Sequence, residues 1–124
     1  MNKSAQHFFT DINGLKSHFI RFEKSEKKII FLHGWGGEAY KSFFKLALEL
    51  QQKIPDTEII LLDLPGFGLS ENPPVEGWET FEYAKWLNTF FEQLIKKEDQ
   101  ITLYGHSFGC RVIVRFLEKN PQFK

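Results

Sequence analysis

The stretch Gly-His-Ser-Phe-Gly at residues 105–109 lies between a short apolar run and a segment of helical period. It matches the pattern G-x-S-x-G, in which a serine sits on a sharp turn from a strand into a helix. Such a turn strains the backbone and exposes the serine hydroxyl. Gly105 and Gly109 favour the turn, because a side chain at either position would collide with neighbouring backbone. The sequence therefore predicts Ser107 as a nucleophile at the end of a strand.

Upstream of this turn, apolar runs alternate with segments of helical period. Two runs, 8–12 and 15–22, flank Asn13-Gly14, a dipeptide that favours a tight hairpin turn. Short buried runs separated by helices indicate a parallel sheet with right-handed crossovers. We therefore expect a three-layer α/β/α fold with a mostly parallel sheet and an N-terminal β-hairpin. The further runs occupy 28–32, 58–62 and 101–104, and the helical segments about 40–54, 80–97 and 107–119.

In such sheets, ligands bind beyond the carboxyl ends of the strands. After the first parallel strand comes the glycine-rich loop 33–37, which begins with His33 and Gly34 and lets backbone amides approach a substrate oxygen. We expect the amides of Trp35 and Phe108 to form an oxyanion hole, because Phe108 lies at the positive end of the last helix. His106 completes the serine motif beside them.

Composition limits the classes of function. The chain has 124 residues, and its 16 basic and 16 acidic side chains give a net charge of zero, which argues against a nucleic-acid partner. The length fits one domain, and no apolar run approaches the ~20 residues that span a bilayer. The single cysteine, Cys110, cannot form an internal disulfide, so we expect a cytoplasmic protein. On the first turn of a packed helix, Cys110 is expected to be buried.

Other ionisable residues are expected to play structural parts. His33 should be held by its loop, and His106 should point to the other side of the turn from the serine. His7 and His18 belong to the hairpin, far from the strand ends. Asp63 follows a strand and is expected to cap a turn and order the loop after it. None of these residues is expected to act as a catalytic base.

The three motifs, in this order, resemble the α/β-hydrolase fold family in its serine-nucleophile branch, over roughly residues 8–124. The loop at 33–37 resembles the family's oxyanion loop, and 63–70 resembles the segment after its fourth strand. The resemblance implies that Ser107 is the nucleophile and that Trp35 and Phe108 donate to the oxyanion. It implies hydrolysis of a small carboxylic ester, thioester or similar acyl substrate, without a cofactor or metal. Relatives with an aspartate nucleophile include dehalogenases and epoxide hydrolases, and a serine argues against both activities.

One departure from the family pattern concerns the catalytic triad, which runs serine, acid, histidine along the chain. After Ser107 this sequence has one acid, Glu118, and no histidine. We therefore expect residues 1–124 to be the N-terminal portion of such a domain, without the C-terminal strands, lid, acid and histidine, and catalytically incomplete. The strand at 101–104 would then be a bare edge, through which the chain is expected to self-associate.

Two alternatives remain open. Residues 34–39 fit G-x-G-x-x-A after a strand, and Asp63 ends the next strand, as in a nucleotide-binding module of Rossmann type. Against it, Trp35 is bulky where a pyrophosphate would approach, and the turn at Ser107 is left unexplained. The other alternative is a non-catalytic structural or regulatory remnant of the hydrolase fold.

Overall fold

A computed structural model describes residues 5–22 and 24–123. The predicted strands and helices are all present, with small differences at their ends. Helix α2 ends at Leu94 rather than near 97, because Ile95 has extended backbone with φ −110° and ψ 130°. In chain order the elements are β1 (Gln6–Ile12), β2 (Leu15–Arg21), β3 (Lys27–Leu32), α1 (Ala39–Lys53), β4 (Thr57–Leu62), α2 (Thr80–Leu94), β5 (Gln100–Gly105) and α3 (Phe108–Lys119).

The five described strands form one mixed sheet in the order β1-β2-β4-β3-β5. Strand β3 is parallel to both β4 and β5, whereas β2 is antiparallel to both β1 and β4. The expectation of a mostly parallel sheet is therefore only partly right. The physical reason is the tight turn at Asn13 and Gly14, whose φ angles are 53° and 81°. It folds β2 back along β1, and β2 then joins the free edge of β4 antiparallel, with Phe19 opposite Leu62.

Helices cover both faces of the sheet, which confirms the three-layer architecture. Successive residues of a strand point to opposite faces. On β3 and β4, Ile30 and Leu62 accordingly pack with α2 and α3, whereas Phe31 and Leu61 pack with α1. No helix in the ranges 5–22 and 24–123 is long and apolar enough to cross a membrane.

The register of the parallel strands brings their carboxyl ends to one level. Leu32 of β3 lies opposite both Leu62 of β4 and Gly105 of β5. The loops that follow these three residues therefore emerge side by side along one edge of the sheet. Beyond β5 no described strand continues the sheet, so β5 is an edge strand, as the sequence predicted.

Candidate active site

Ser107 lies on the turn between β5 and α3 and is exposed. Its backbone has φ 53° and ψ −113°, a left-handed conformation that is strained for any residue with a side chain. Two hydrogen bonds close the turn: Gly109 N–H donates to His106 O at 2.9 Å, and Cys110 N–H donates to Ser107 O at 3.0 Å. The strained backbone thus presents the serine hydroxyl at the carboxyl edge of the sheet.

The two glycines of the motif let α3 approach the sheet closely. A Cβ at Gly109 would lie 2.4 Å from Leu32 O, and a Cβ at Gly105 would lie 2.6 Å from Cys110 N. Both distances are far below a normal contact. His106 N–H also donates to Leu32 O at 3.0 Å. The carboxyl end of strand β3, which lies between β4 and β5, therefore supports the serine turn.

The glycine-rich loop after β3 contacts this turn directly. A Cβ at Gly34 would lie 2.9 Å from His106 Nδ1 and 3.4 Å from Ser107 Cβ. Within the loop, Gly37 N–H donates to Gly34 O at 3.0 Å. The backbone amides of Trp35 and Phe108 donate no hydrogen bond to any residue in the described ranges. Both amides therefore keep an unused donor among the described residues.

Aromatic side chains cluster next to the serine turn. The Trp35 side chain is 63% exposed. Its ring centroid lies 4.9 Å from that of Phe67 and 5.1 Å from that of Phe108, both edge to face. Tyr83 packs beneath, donates its hydroxyl to Pro65 O at 3.1 Å, and has its pKa raised by burial. We call Trp35, Phe67 and Phe108 the aromatic wall.

His33 is fully buried and both of its ring nitrogens are engaged. Nδ1–H donates to Gly34 O at 2.7 Å, and Nε2 accepts from Leu64 N–H at 3.1 Å. These partners require the neutral ring with its proton on Nδ1. Burial is the main cause that lowers the pKa of His33, which also favours the neutral form. His33 therefore joins two loops, as a structural residue should.

Asp63 is buried at the end of β4 and accepts three hydrogen bonds. Oδ2 accepts from Leu69 N–H at 3.0 Å, which orders the following loop as the sequence predicted. Oδ1 accepts from Ala39 N–H at 2.7 Å, and Oδ2 lies 2.6 Å from Nδ1 of His18. The prediction that His18 lies far from the strand ends is therefore wrong. Because β2 runs antiparallel beside β4, His18 comes next to Asp63, and its Nε2 lies 2.8 Å from Nδ1 of His7.

Two further residues of α3 and its turn are exposed. His106 places Nδ1 against Gly34 and makes no hydrogen bond to Ser107 among the described residues. Cys110 is exposed, so the expectation of a buried thiol is wrong. The helix buries Gly109, Val112, Ile113 and Phe116, and Cys110 lies outside that buried face. In the described part of the chain no group of three or more histidine, cysteine, aspartate or glutamate side chains is arranged so that it could hold a metal ion.

Comparison with known proteins identifies the class to which this fold and site belong. Residues 27–123 match the model of the α/β hydrolase fold family, and this chain is a member of that family. The match includes the glycine-rich loop and Asp63, on which the nucleotide-binding alternative rested.

Relatives within the family carry different activities in their names. The chain is 32% identical over 98 residues to a pimeloyl-[acyl-carrier protein] methyl ester esterase of Legionella pneumophila, covering 75% of this chain and 33% of that protein. It is 35% identical over 115 residues to a juvenile hormone epoxide hydrolase of Bombyx mori, covering 86% of this chain and 24% of that protein. A solved epoxide hydrolase variant of Vigna radiata has the same fold, with a TM-score of 0.81 at 21% identity, over 97% of this chain and 36% of that one. The chain thus spans about a third or less of each of these proteins.

Proposed function

We propose that this chain carries the nucleophile and the oxyanion hole of a serine hydrolase that acts on a carboxylic ester, thioester or similar acyl substrate. The observation that carries the proposal is the strained, exposed turn at Ser107, with the unpaired amides of Trp35 and Phe108 beside it. A non-glycine residue with positive φ persists only where the surrounding structure imposes it, and such residues cluster at active sites.

In the proposed reaction, Ser107 Oγ attacks the carbonyl carbon while its proton passes to a general base. The carbonyl oxygen becomes an oxyanion that accepts from the amides of Trp35 and Phe108. The carbon–oxygen or carbon–sulfur bond to the leaving group then breaks, and the leaving group takes up the proton. Water hydrolyses the acyl-enzyme by the same route. One donor of an oxyanion hole is typically worth about 10²–10³ in kcat.

We propose further that residues 1–124 form the N-terminal portion of a larger hydrolase domain, and that the general base and acid belong to a segment outside them. Two observations support this. No described histidine or carboxylate is hydrogen-bonded to Ser107, and the chain spans about a third or less of the relatives it matches. The serine alone would be a poor nucleophile near neutral pH.

The nucleophile distinguishes esters from epoxides. A carboxylate that opens an epoxide forms an ester, which water can hydrolyse. A serine alkoxide that opens an epoxide would form an alkyl ether, which this site has no means to cleave. The hydroxyl of Ser107 therefore favours acyl substrates, although several relatives of this chain are named as epoxide hydrolases.

The test uses the full reading frame that encodes this chain. We expect turnover of p-nitrophenyl butyrate, a loss of at least about 10³-fold in kcat/KM in Ser107→Ala, and no hydrolysis of styrene oxide. Ser25→Ala is the matched control. Ser25 lies just before the amino end of β3, at the end of the parallel strands opposite Ser107, and its variant should keep wild-type turnover. Epoxide hydrolysis that depends on Ser107, or ester turnover that survives Ser107→Ala, would overturn the proposal.

A second candidate is a non-catalytic member of the fold, which is favoured because the hydroxyl of Ser107 has no hydrogen-bond partner among residues 5–22 and 24–123. A fluorophosphonate probe distinguishes the serine hydrolase from the non-catalytic protein, because it forms a covalent adduct with an activated serine. Folded wild-type protein that gains no adduct at Ser107 would favour the non-catalytic reading.

A further inference from the structure

We propose that Asp63 is a positioning residue for the oxyanion hole. Its buried carboxylate, together with the next residue, Leu64, fixes the loop that carries the Trp35 amide. This inference rests on the proposed function and assigns to Asp63 a part in it, because Asp63 holds the loop before β4 as well as the loop after it.

The first contact is at the C-terminal end of the loop. Helix α1 begins at Ala39, and its N-cap residue, Glu38, makes no capping hydrogen bond with its side chain. The first turn of the helix holds no acidic residue either. Asp63 Oδ1 fills this place from another part of the fold, since it accepts from Ala39 N–H at 2.7 Å. The free amides and the dipole at a helix N-terminus both favour such an anion.

The second contact is at the N-terminal end of the loop. His33 donates to Gly34 O and accepts from Leu64 N–H, at 2.7 Å and 3.1 Å. Two consecutive residues, Asp63 and Leu64, thus hold the two ends of the segment 34–39. The position of the Trp35 amide relative to the serine turn follows from these two contacts.

The carboxylate is itself held rigidly. Oδ2 contacts His18 Nδ1 and Leu69 N–H, and the main-chain amide of Asp63 donates to His18 O at 3.0 Å. Ser70 Oγ donates to Asp63 O at 2.8 Å. Gly68 leaves room for the group, because a Cβ there would lie 2.3 Å from Asp63 Cγ. Hydrogen bonds to a carboxylate are shorter and stronger than those to neutral acceptors, so Asp63 is a firm anchor for the loop.

The kinetic consequence follows from when the oxyanion exists. Its charge develops only as Ser107 attacks. A displaced Trp35 amide therefore stabilises the transition state less, while substrate binding stays almost unchanged. Loss of the contact between Asp63 and the loop should therefore lower kcat rather than raise KM.

The experiment compares Asp63→Asn and Ala39→Pro, alone and combined, in the full reading frame. Asparagine keeps the shape but turns an N–H group toward one of the donors. Proline at the first helical position is well tolerated and removes the N–H that Asp63 Oδ1 accepts. We expect each single variant to lower kcat per titrated active site about 10- to 100-fold, with KM within about twofold, and the double variant to lose little more. Asp56→Asn, just before β4 and exposed, is the matched control and should behave as wild type.

Hydrogen exchange gives a readout that does not depend on catalysis. We expect Asp63→Asn to speed exchange at the amides of residues 37 and 39 while exchange in α3 is unchanged. Exchange that rises evenly over the whole chain, or unchanged kcat per active site, would overturn the proposal. If the wild-type protein proves inactive, the proposed function fails, and the exchange pattern alone decides whether Asp63 holds the loop.

Discussion

The amide of Leu64 donates a hydrogen bond to Nε2 of His33 across 3.1 Å, and so joins the loops that follow β3 and β4. An imidazole nitrogen accepts only while it is unprotonated, and Nδ1 of the same ring already donates to Gly34 O. The fold therefore contains His33 in its neutral form.

Stability should fall on mild acidification because of His33. Burial holds the pKa of folded His33 below its ordinary value of 6.5, so the unfolded chain takes up a proton that the folded chain excludes. The free energy of unfolding should drop as pH falls through that ordinary value, by at most about 1.4 kcal/mol per pH unit, and level off below the folded pKa. Urea unfolding of wild type and His33→Asn at several pH values between 5 and 8 would check this. Parallel curves for the two proteins would contradict it.

Replacing Ser107 should reveal the strain of the turn. Its φ and ψ are the mirror image of an extended conformation, which glycine adopts freely. Relief of strain is worth about 1–3 kcal/mol, and the flexibility of glycine in the unfolded chain costs about 0.5–1 kcal/mol. Ser107→Gly should thus be about 1 kcal/mol more stable than Ser107→Ala, which keeps the Cβ. Denaturant unfolding of both variants measures the difference, and equal stabilities would mean that the turn is not strained.

The side chain of Trp35 should affect binding more than chemistry. In Trp35→Ala the backbone amide remains, whereas the exposed part of the aromatic wall is lost. We expect KM for p-nitrophenyl butyrate to rise about tenfold and kcat to change by less than about threefold. Tyr40→Ala is the control, because Tyr40 is also an exposed aromatic residue but stacks on Phe44 of α1. A fall in kcat at constant KM would show that the ring, and not only the amide, acts in the transition state.

The free edge of β5 should make the 124-residue chain associate. The strand, Gln-Ile-Thr-Leu-Tyr-Gly, has no charged residue to discourage pairing with another chain. We expect light scattering to report oligomers at high concentration, and Thr102→Lys to return the chain to monomers. Thr10→Lys, on the opposite edge strand β1, should leave the oligomers unchanged. A monomeric wild-type chain at millimolar concentration would refute this prediction.

Local sequence patterns were sufficient to predict the elements and the serine turn. The turn needs glycine at two positions flanking Ser107, and this requirement is visible in five consecutive residues. Alternating apolar runs and helical periods likewise depend on near neighbours in the chain, so the three layers could be predicted too.

Relationships between distant residues could not be predicted in the same way. The apolar pattern of β2 is the same whether the strand joins β4 or stands apart, so neither the mixed sheet nor the contact of His18 with Asp63 was foreseen. Lys28 and Glu58 lie in two apolar runs, and their buried ion pair at 2.7 Å depends on the register of β3 against β4. Cys110 was misplaced because its side of α3 depends on how the helix meets the sheet.

The support of the serine turn on β3 has a consequence for how such proteins diverge. Gly105, Gly109 and Leu32 shape the turn through backbone contacts, and none of these contacts involves the hydroxyl of Ser107. The same backbone turn would hold a different nucleophilic side chain at the same point. Relatives named for ester and for epoxide hydrolysis are about equally similar to this chain, at 32% and 35% identity. The backbone contacts that shape the turn therefore leave the side chain at position 107 free to change without refolding, and overall similarity does not by itself decide which reaction the site carries out.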